Sequence, residues 1–140
     1  MRKHLNLVGR ISFFMAGAVF FTAGCATIKE ATLMSSFEKV SQAYELVLLD
    51  SDFETAHGFI DPEVVREEVD FTAYKDIKIV EYHVKKGQVS NDKNMINQIA
   101  EVKYYRLDSL IVRTVRYKQL WQYDDVKKSW LLQTGLPELK

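Results

Sequence analysis

A second cysteine is missing from this chain of 140 residues, so Cys25 has no intramolecular disulfide partner and any fold must be held by its apolar core. Excess charge of either sign is missing too, with 19 basic residues against 19 acidic ones and no cationic run. Scattered Lys and Arg give no electrostatic footprint for nucleic acid, which excludes that class of partner. Ligand spacing for a metal is absent, because His4, His57 and His83 stand apart from one another and from Cys25. The apolar run Ile11 to Thr22 is short. As a helix it rises only about 18 Å, against roughly 30 Å of membrane hydrocarbon, and extending it back to Leu5 would bury Arg10 in the span. No internal repeat and no low-complexity tract occurs.

What is present begins at the N-terminus. Met1 to Arg10 carries Arg2, Lys3 and Arg10 with no acidic residue, the apolar run follows, and Thr22-Ala23-Gly24-Cys25 closes it with small residues. A peptidase needs small side chains at the scissile bond, and only a thiol makes a thioether. The tetrad resembles the lipobox of bacterial lipoproteins, with Thr22 standing where an aliphatic residue is usual. The resemblance implies cleavage between Gly24 and Cys25, a diacylglyceryl thioether on Cys25, and a mature chain that starts there. Two or more acyl chains, at about 0.8 kcal/mol per buried methylene, make a durable anchor where one is marginal. Ala26 rather than Asp after the cysteine implies, in a two-membrane bacterium, the periplasmic face of the outer membrane. An ordinary secretory signal and an uncleaved anchor are the competing readings.

The expected organisation is a signal peptide over 1–24, a lipidated cysteine and tether over 25–34, and one domain over 35–140. Removal of the first segment takes three basic residues and no acidic ones, leaving 16 against 19, a charge of −3. About 115 residues suffice for one cysteine-free core.

The domain divides into a helical half and a strand half, an α+β pattern. Leu33, Phe37, Val40, Tyr44 and Val47 recur at helical spacing on one stripe, with Glu38, Lys39, Gln42 and Glu45 off it. Thr27 before Glu30 and Ser35 before Glu38 both offer capping boxes for its start. Ser51 with Glu54 predicts a short helix over Phe53 to His57, ended by Gly58, and Asp61-Pro62-Glu63 predicts a third start. Alternation then predicts strands over Lys75 to Lys85, with a bulge at Ile79-Val80, over Gln98 to Leu107, over Leu110 to Tyr123, and through Trp130 and Leu132. Gly87 and Ser90 to Asn94 mark a loop, and Asp108-Ser109 and Asp124 to Lys127 mark turns. Short turns between the last three strands predict an antiparallel meander with one face covered by helices.

This arrangement resembles the nuclear transport factor 2-like superfamily, the cone-shaped fold shared with ketosteroid isomerases and SnoaL-like proteins and close to the cystatin-like cone. The residues that carry the likeness are the long first helix, the segment Asp52 to Glu63, and the closing strands with Trp121 and Trp130 about a polar turn. It implies a strongly curved antiparallel sheet wrapped around helices, a pocket between sheet and helix, and dimers through the outer sheet face. Its enzymes pair an acidic base with a Tyr or acid that bonds a developing enolate. Tyr44, Tyr82, Tyr104 and Tyr117, with Trp121 and Trp130, are the residues expected to line such a pocket. Asp50, Asp52 and Asp61 match no family motif, and Asp52 and Asp61 read as helix caps. Tyr at alternating strand positions reads as packing first. No catalytic residue, cofactor or metal is assigned.

The sequence therefore predicts a lipid-anchored envelope domain that binds a partner protein or a small apolar ligand, with an isomerase- or dehydratase-type enzyme and a purely structural envelope component as alternatives. An enzyme requires a closed cavity with a buried, raised-pKa carboxyl beside a Tyr hydroxyl. A ligand carrier requires an apolar cavity without that pair, and an interaction module a filled core with an exposed aromatic patch.

Overall fold

The computed structural model describes residues 24–65 and 68–140; residues 1–23, which hold most of the expected signal peptide, lie outside the described residues. The chain is α+β. Helix α1 (Gly24–Leu49) packs with the short α2 (Phe53–His57) against a four-stranded antiparallel sheet, and a 3-10 turn covers Phe71–Tyr74. The strands, β1 (Ile77–Val89), β2 (Met95–Arg106), β3 (Arg113–Asp124) and β4 (Ser129–Leu132), follow one another in space as in sequence. The expected meander is present.

Helix α1 begins before the positions the capping boxes predict and includes residues 25–34, the stretch expected to be the tether. No residue from Cys25 to Met34 breaks a helix. The hydroxyl of Thr32 donates back to the Ile28 carbonyl (2.9 Å) and that of Ser36 to the Leu33 carbonyl (2.7 Å), which is how such residues are satisfied inside a helix rather than at its cap. Among the described residues no helix is long and apolar enough to cross a membrane. On the sheet side of α1, Leu33, Tyr44 and Leu48 are buried, with Phe37, Val40 and Val47 partly so.

Of the two residues read as caps for α2, one holds. Asp52, not Ser51, caps α2 by accepting from the Thr55 N–H (3.0 Å), while the Ser51 hydroxyl accepts from the Ile79 N–H (2.9 Å) and ties the end of α1 to β1. The third helix does not form. Asp61 caps a single turn, accepting at Oδ1 from the Glu63 N–H (3.1 Å), but its own N–H donates to the Leu132 carbonyl (2.9 Å) and Gln133 Nε2 donates to its Oδ2 (3.1 Å). Those ties hold the chain against β4, as the Ile60–Leu132 bridge shows, in place of a helix.

β1 carries the expected bulge after Ile79 and a second after Val84, and it runs through Gly87 to Val89, past the predicted end. β2 and β3 pair without a register shift from Met95–Gln122 to Tyr104–Arg113. β3 begins at Arg113, so Leu110 to Val112, predicted as strand, are loop. The core lies between α1 and the inner sheet face. Trp121 meets Tyr44 edge-on (5.4 Å between centroids), and Phe37 meets Trp130 in the same manner (5.1 Å), so two indoles are locked between helix and hairpin.

Candidate functional site

The six aromatic residues expected to line a pocket are all buried, and the structure brings them to the inner sheet face. Their polar ends are all taken up within the fold. Tyr44 and Tyr117 hydroxyls lie 2.8 Å apart, and Tyr117 donates to the Gly135 carbonyl (2.7 Å). Gln119 Oε1 accepts from Tyr82 (3.0 Å) and from Trp121 Nε1 (3.3 Å), and Gln98 Nε2 also donates to it. Trp121 can only donate, which fixes the orientation of the Gln119 amide. Trp130 Nε1 donates to the Ser36 hydroxyl (3.0 Å) and the Leu33 carbonyl (3.3 Å). Tyr104 donates to the Lys140 backbone oxygen (2.6 Å).

The electrostatics follow from this closure. Burial, with Tyr117 alongside, pushes the Tyr44 phenol far above its usual range, and burial raises Tyr117 as well. Burial pushes Tyr82 up to about 12, against a hydrogen bond to Gln119 that works the other way. These phenols stay neutral. Among the described residues, every carboxyl whose pKa is displaced moves down: Asp52 through Thr55, Asp70 through Thr72, Asp61 chiefly through the Glu63 N–H, Asp92 through Ser90, Asp124 through the Lys127 N–H, and Glu81 through Lys103. Asp52, exposed, and Asp61, half-buried, are caps of this kind. His57 ends α2 with its ring edge-on to Phe71 (5.6 Å), and His83 is exposed on β1. Among the described residues no group of three His, Cys, Asp or Glu is placed to hold a metal.

The apolar surface is elsewhere. Leu107 (49 % exposed), Leu110 (69 %), Ile111 (61 %) and Val112 (57 %) crown the loop between β2 and β3. Other exposed apolar residues, such as Ile28 and Val126, are scattered singly, which is ordinary for a protein surface. The loop is held open by its backbone. Ser109 and Leu110 N–H groups both donate to the Arg106 carbonyl (3.2 and 2.8 Å), and Leu110 sits at φ 54°, a conformation that branched side chains rarely adopt.

Beside this tip runs a groove of about 830 Å³ between β3 and the C-terminal segment, with Tyr104, Val115, Tyr117 and Leu136 as apolar lining and the cations Arg113, Arg116, Lys118 and Lys140 around it against the single side-chain carboxylate of Glu138. Tyr104 and Tyr117 thus touch a groove, whereas Tyr44, Tyr82, Trp121 and Trp130 do not line it. The tip and groove were not singled out from the sequence, although the apolar triplet Leu110-Ile111-Val112 directly after a turn was the available signal.

The tip lies far from the start of α1. Lys29, Glu30 and Leu33 share a surface depression with Asp92, Asn94 and Asp125, at the end of the sheet where β2 begins, while Ile77 pairs with Arg106 at the other end. The twelve residues of β2 separate the two ends by roughly 40 Å. No protein-family model, curated protein or solved structure matches the chain.

Proposed function

We propose that this chain is a bacterial envelope lipoprotein, anchored through acyl chains on Cys25, whose domain is a nuclear transport factor 2-like module that docks a partner protein at the far end of its sheet. The observation that carries the docking role is the exposed run Leu110-Ile111-Val112, held out by a backbone conformation that costs stability. The anchor rests on the cationic start, the apolar run and the small residues before Cys25. The cone assignment draws its support from one long helix, a bulged antiparallel meander and an aromatic hairpin packed on the helix.

The alternatives have less support. A small-ligand carrier needs room among the inner tyrosines, yet Tyr44 and Tyr117 hydroxyls bond each other and the indoles are packed edge-on. Isomerase or dehydratase chemistry needs a buried carboxyl with a raised pKa, and the displaced carboxyls move down.

Two experiments test the proposal in the native host. A photo-crosslinking amino acid at Ile111 is expected to give a discrete adduct that Leu110→Asp abolishes, with Val126, 92 % exposed near the opposite end, giving none. Equal adducts at both positions, or none at Ile111, refute partner docking at the tip. Metabolic labelling with a fatty-acid analogue is expected on the wild type and not on Cys25→Ser; equal labelling of both refutes the anchor.

A further inference from the structure

The sheet stops short at β3. That strand has twelve residues, but β4 pairs only with Trp121 to Asp124, and the last bond between them runs from the Gln133 N–H to the Leu120 carbonyl (2.7 Å). Beyond it the C-terminal segment leaves the plane. Gly135 accepts from Tyr117, and Lys140 is clasped by Tyr104 and Arg113, so this segment binds inward-facing side chains rather than the strand edge. Among the described residues nothing pairs with the outer edge of β3 from Arg113 to Lys118.

The direction of the backbone groups follows from the pleat. In an antiparallel strand the N–H and C=O of one residue point to the same side and those of the next to the other. Leu120 points its carbonyl toward β4, so Lys118, Arg116 and Thr114 direct their N–H and C=O groups to the open edge, with no shift of register in β3 to upset the count. Their side chains are exposed on the outer face. Arg116 and Lys118 form no ion pair among the described residues, while the neighbouring Lys85 and Lys103 are held by Glu101 (3.5 Å) and Glu81 (2.8 Å).

We propose that this edge takes an acidic, extended peptide of the partner as an added strand, a reading that rests on docking at the adjoining tip. About six residues at roughly 3.3 Å each give a ladder some 20 Å long. Alternate side chains of the incoming strand fall on two sides. One set meets the groove wall of Val115, Tyr117 and Leu136, and the other stands beside Arg116 and Lys118, where carboxylates complete the charge. Unpaired edges invite any strand, and cations on them repel most. The same cations exclude a second copy of this edge and select an acidic occupant. The other sheet edge, β1, is broken by bulges after Ile79 and Val84 and offers no comparable straight ladder.

The test uses the full chain in detergent micelles, a synthetic peptide of alternating Glu and Val about eight residues long, and its Lys-Val counterpart, with amide hydrogen exchange read residue by residue. The acidic peptide is expected to slow exchange at Thr114, Arg116 and Lys118 by about tenfold or more, leave Val115 and Tyr117 unchanged because they already face β2, and lose affinity by about tenfold in Arg116→Glu/Lys118→Glu. The Lys-Val peptide is expected to do nothing. No slowing at those three amides, equal slowing by both peptides, or slowing confined to β1 overturns the proposal. Two chains separate the readings: in Leu110→Asp, loss of the tip adduct with peptide protection intact leaves the edge standing, and in the wild type, a tip adduct with no peptide protection removes the edge alone.

Discussion

The Tyr44–Tyr117 pair yields a prediction whose sign depends on context. Tyr117 has two partners, the Tyr44 hydroxyl at 2.8 Å and the Gly135 carbonyl at 2.7 Å, whereas Tyr44 has Tyr117 alone. In Tyr44→Phe the Tyr117 hydroxyl keeps Gly135, and the loss is one buried hydrogen bond, about 1 kcal/mol. In Tyr117→Phe two groups are left dry at once, the Tyr44 hydroxyl and the Gly135 carbonyl, and the cost rises to about 2–3 kcal/mol. Adding Tyr44→Phe to Tyr117→Phe then removes an orphan instead of a bond, so the double variant is expected to be as stable as Tyr117→Phe or more stable by about 1 kcal/mol. The coupling is therefore about 1–2 kcal/mol. Urea unfolding followed by tryptophan fluorescence reads it, because Trp121 touches Tyr44 and both indoles are buried. With a slope of about 1–3 kcal/mol per molar urea, Tyr117→Phe should lower the midpoint by roughly 0.7–3 M. Additive losses, or a larger cost for Tyr44→Phe than for Tyr117→Phe, would refute the bonding scheme.

Leu48, fully buried, and Leu46, 58 % exposed, sit two residues apart in α1. Leu48→Ala is expected to cost about 2–5 kcal/mol and Leu46→Ala less than about 0.5 kcal/mol in the same urea assay. The pH dependence has two limbs. Asp52, Asp70 and Asp124 are held below their ordinary 3.8, so their contribution is present above that value and lost as pH falls through the folded values. Tyr44, Tyr82 and Tyr117 are raised from 10.0, so theirs is complete below pH 10.0 and lost as pH rises from there toward the folded values. Absorbance of tyrosinate should accordingly show those three ionising together with unfolding; independent ionisation in a folded chain would contradict the burial. Leu110→Gly removes a branched side chain from φ 54° and is expected to leave stability unchanged or raise it by up to about 1 kcal/mol while abolishing the Ile111 adduct. A loss of stability would show that the tip packs on its own domain.

Local chemistry in the sequence was sufficient for the layout and insufficient for its ends. The Leu33, Phe37 and Tyr44 stripe, the bulge after Ile79 and the polar turn after Tyr123 each arise from neighbouring residues and are present as read. The errors come from ties between distant residues. Ser51 resembles a cap until Ile79, 28 positions on, claims its hydroxyl, and Asp61 caps a single turn whose chain is tied to β4 through Leu132 and Gln133. Leu110 to Val112 are strong strand formers whose apolar character predicted β3, but the turn that closes on Arg106 places Leu110 in the left-handed region and ends the ladder at Arg113. The open edge of β3 was beyond reach for a similar reason. It exists because β4 has only four residues and because Tyr117, Tyr104 and Arg113 draw the following segment away, and no local pattern encodes those three contacts.

The helical state of residues 25–34 changes what an anchor at Cys25 would do. A flexible tether of ten residues lets a domain tumble and offer any face to any neighbour. A helix that runs unbroken from Gly24 to Leu49 removes that slack, and its 26 residues rise about 39 Å along the molecule toward the end that bears Leu110 and the open β3 edge. Acylation at Cys25 would then hold the apolar tip away from the anchoring membrane, where lipid cannot satisfy it and a partner strand can. The strain at Leu110 and the exposed Ile111 and Val112 have no compensation within the described chain, so such a lever gives them a use only if something meets them at its far end. Breaking α1 near Ala31 with proline should thus weaken the Ile111 adduct while leaving the edge's affinity for an acidic peptide in micelles intact, because it alters the lever and not the surface it carries.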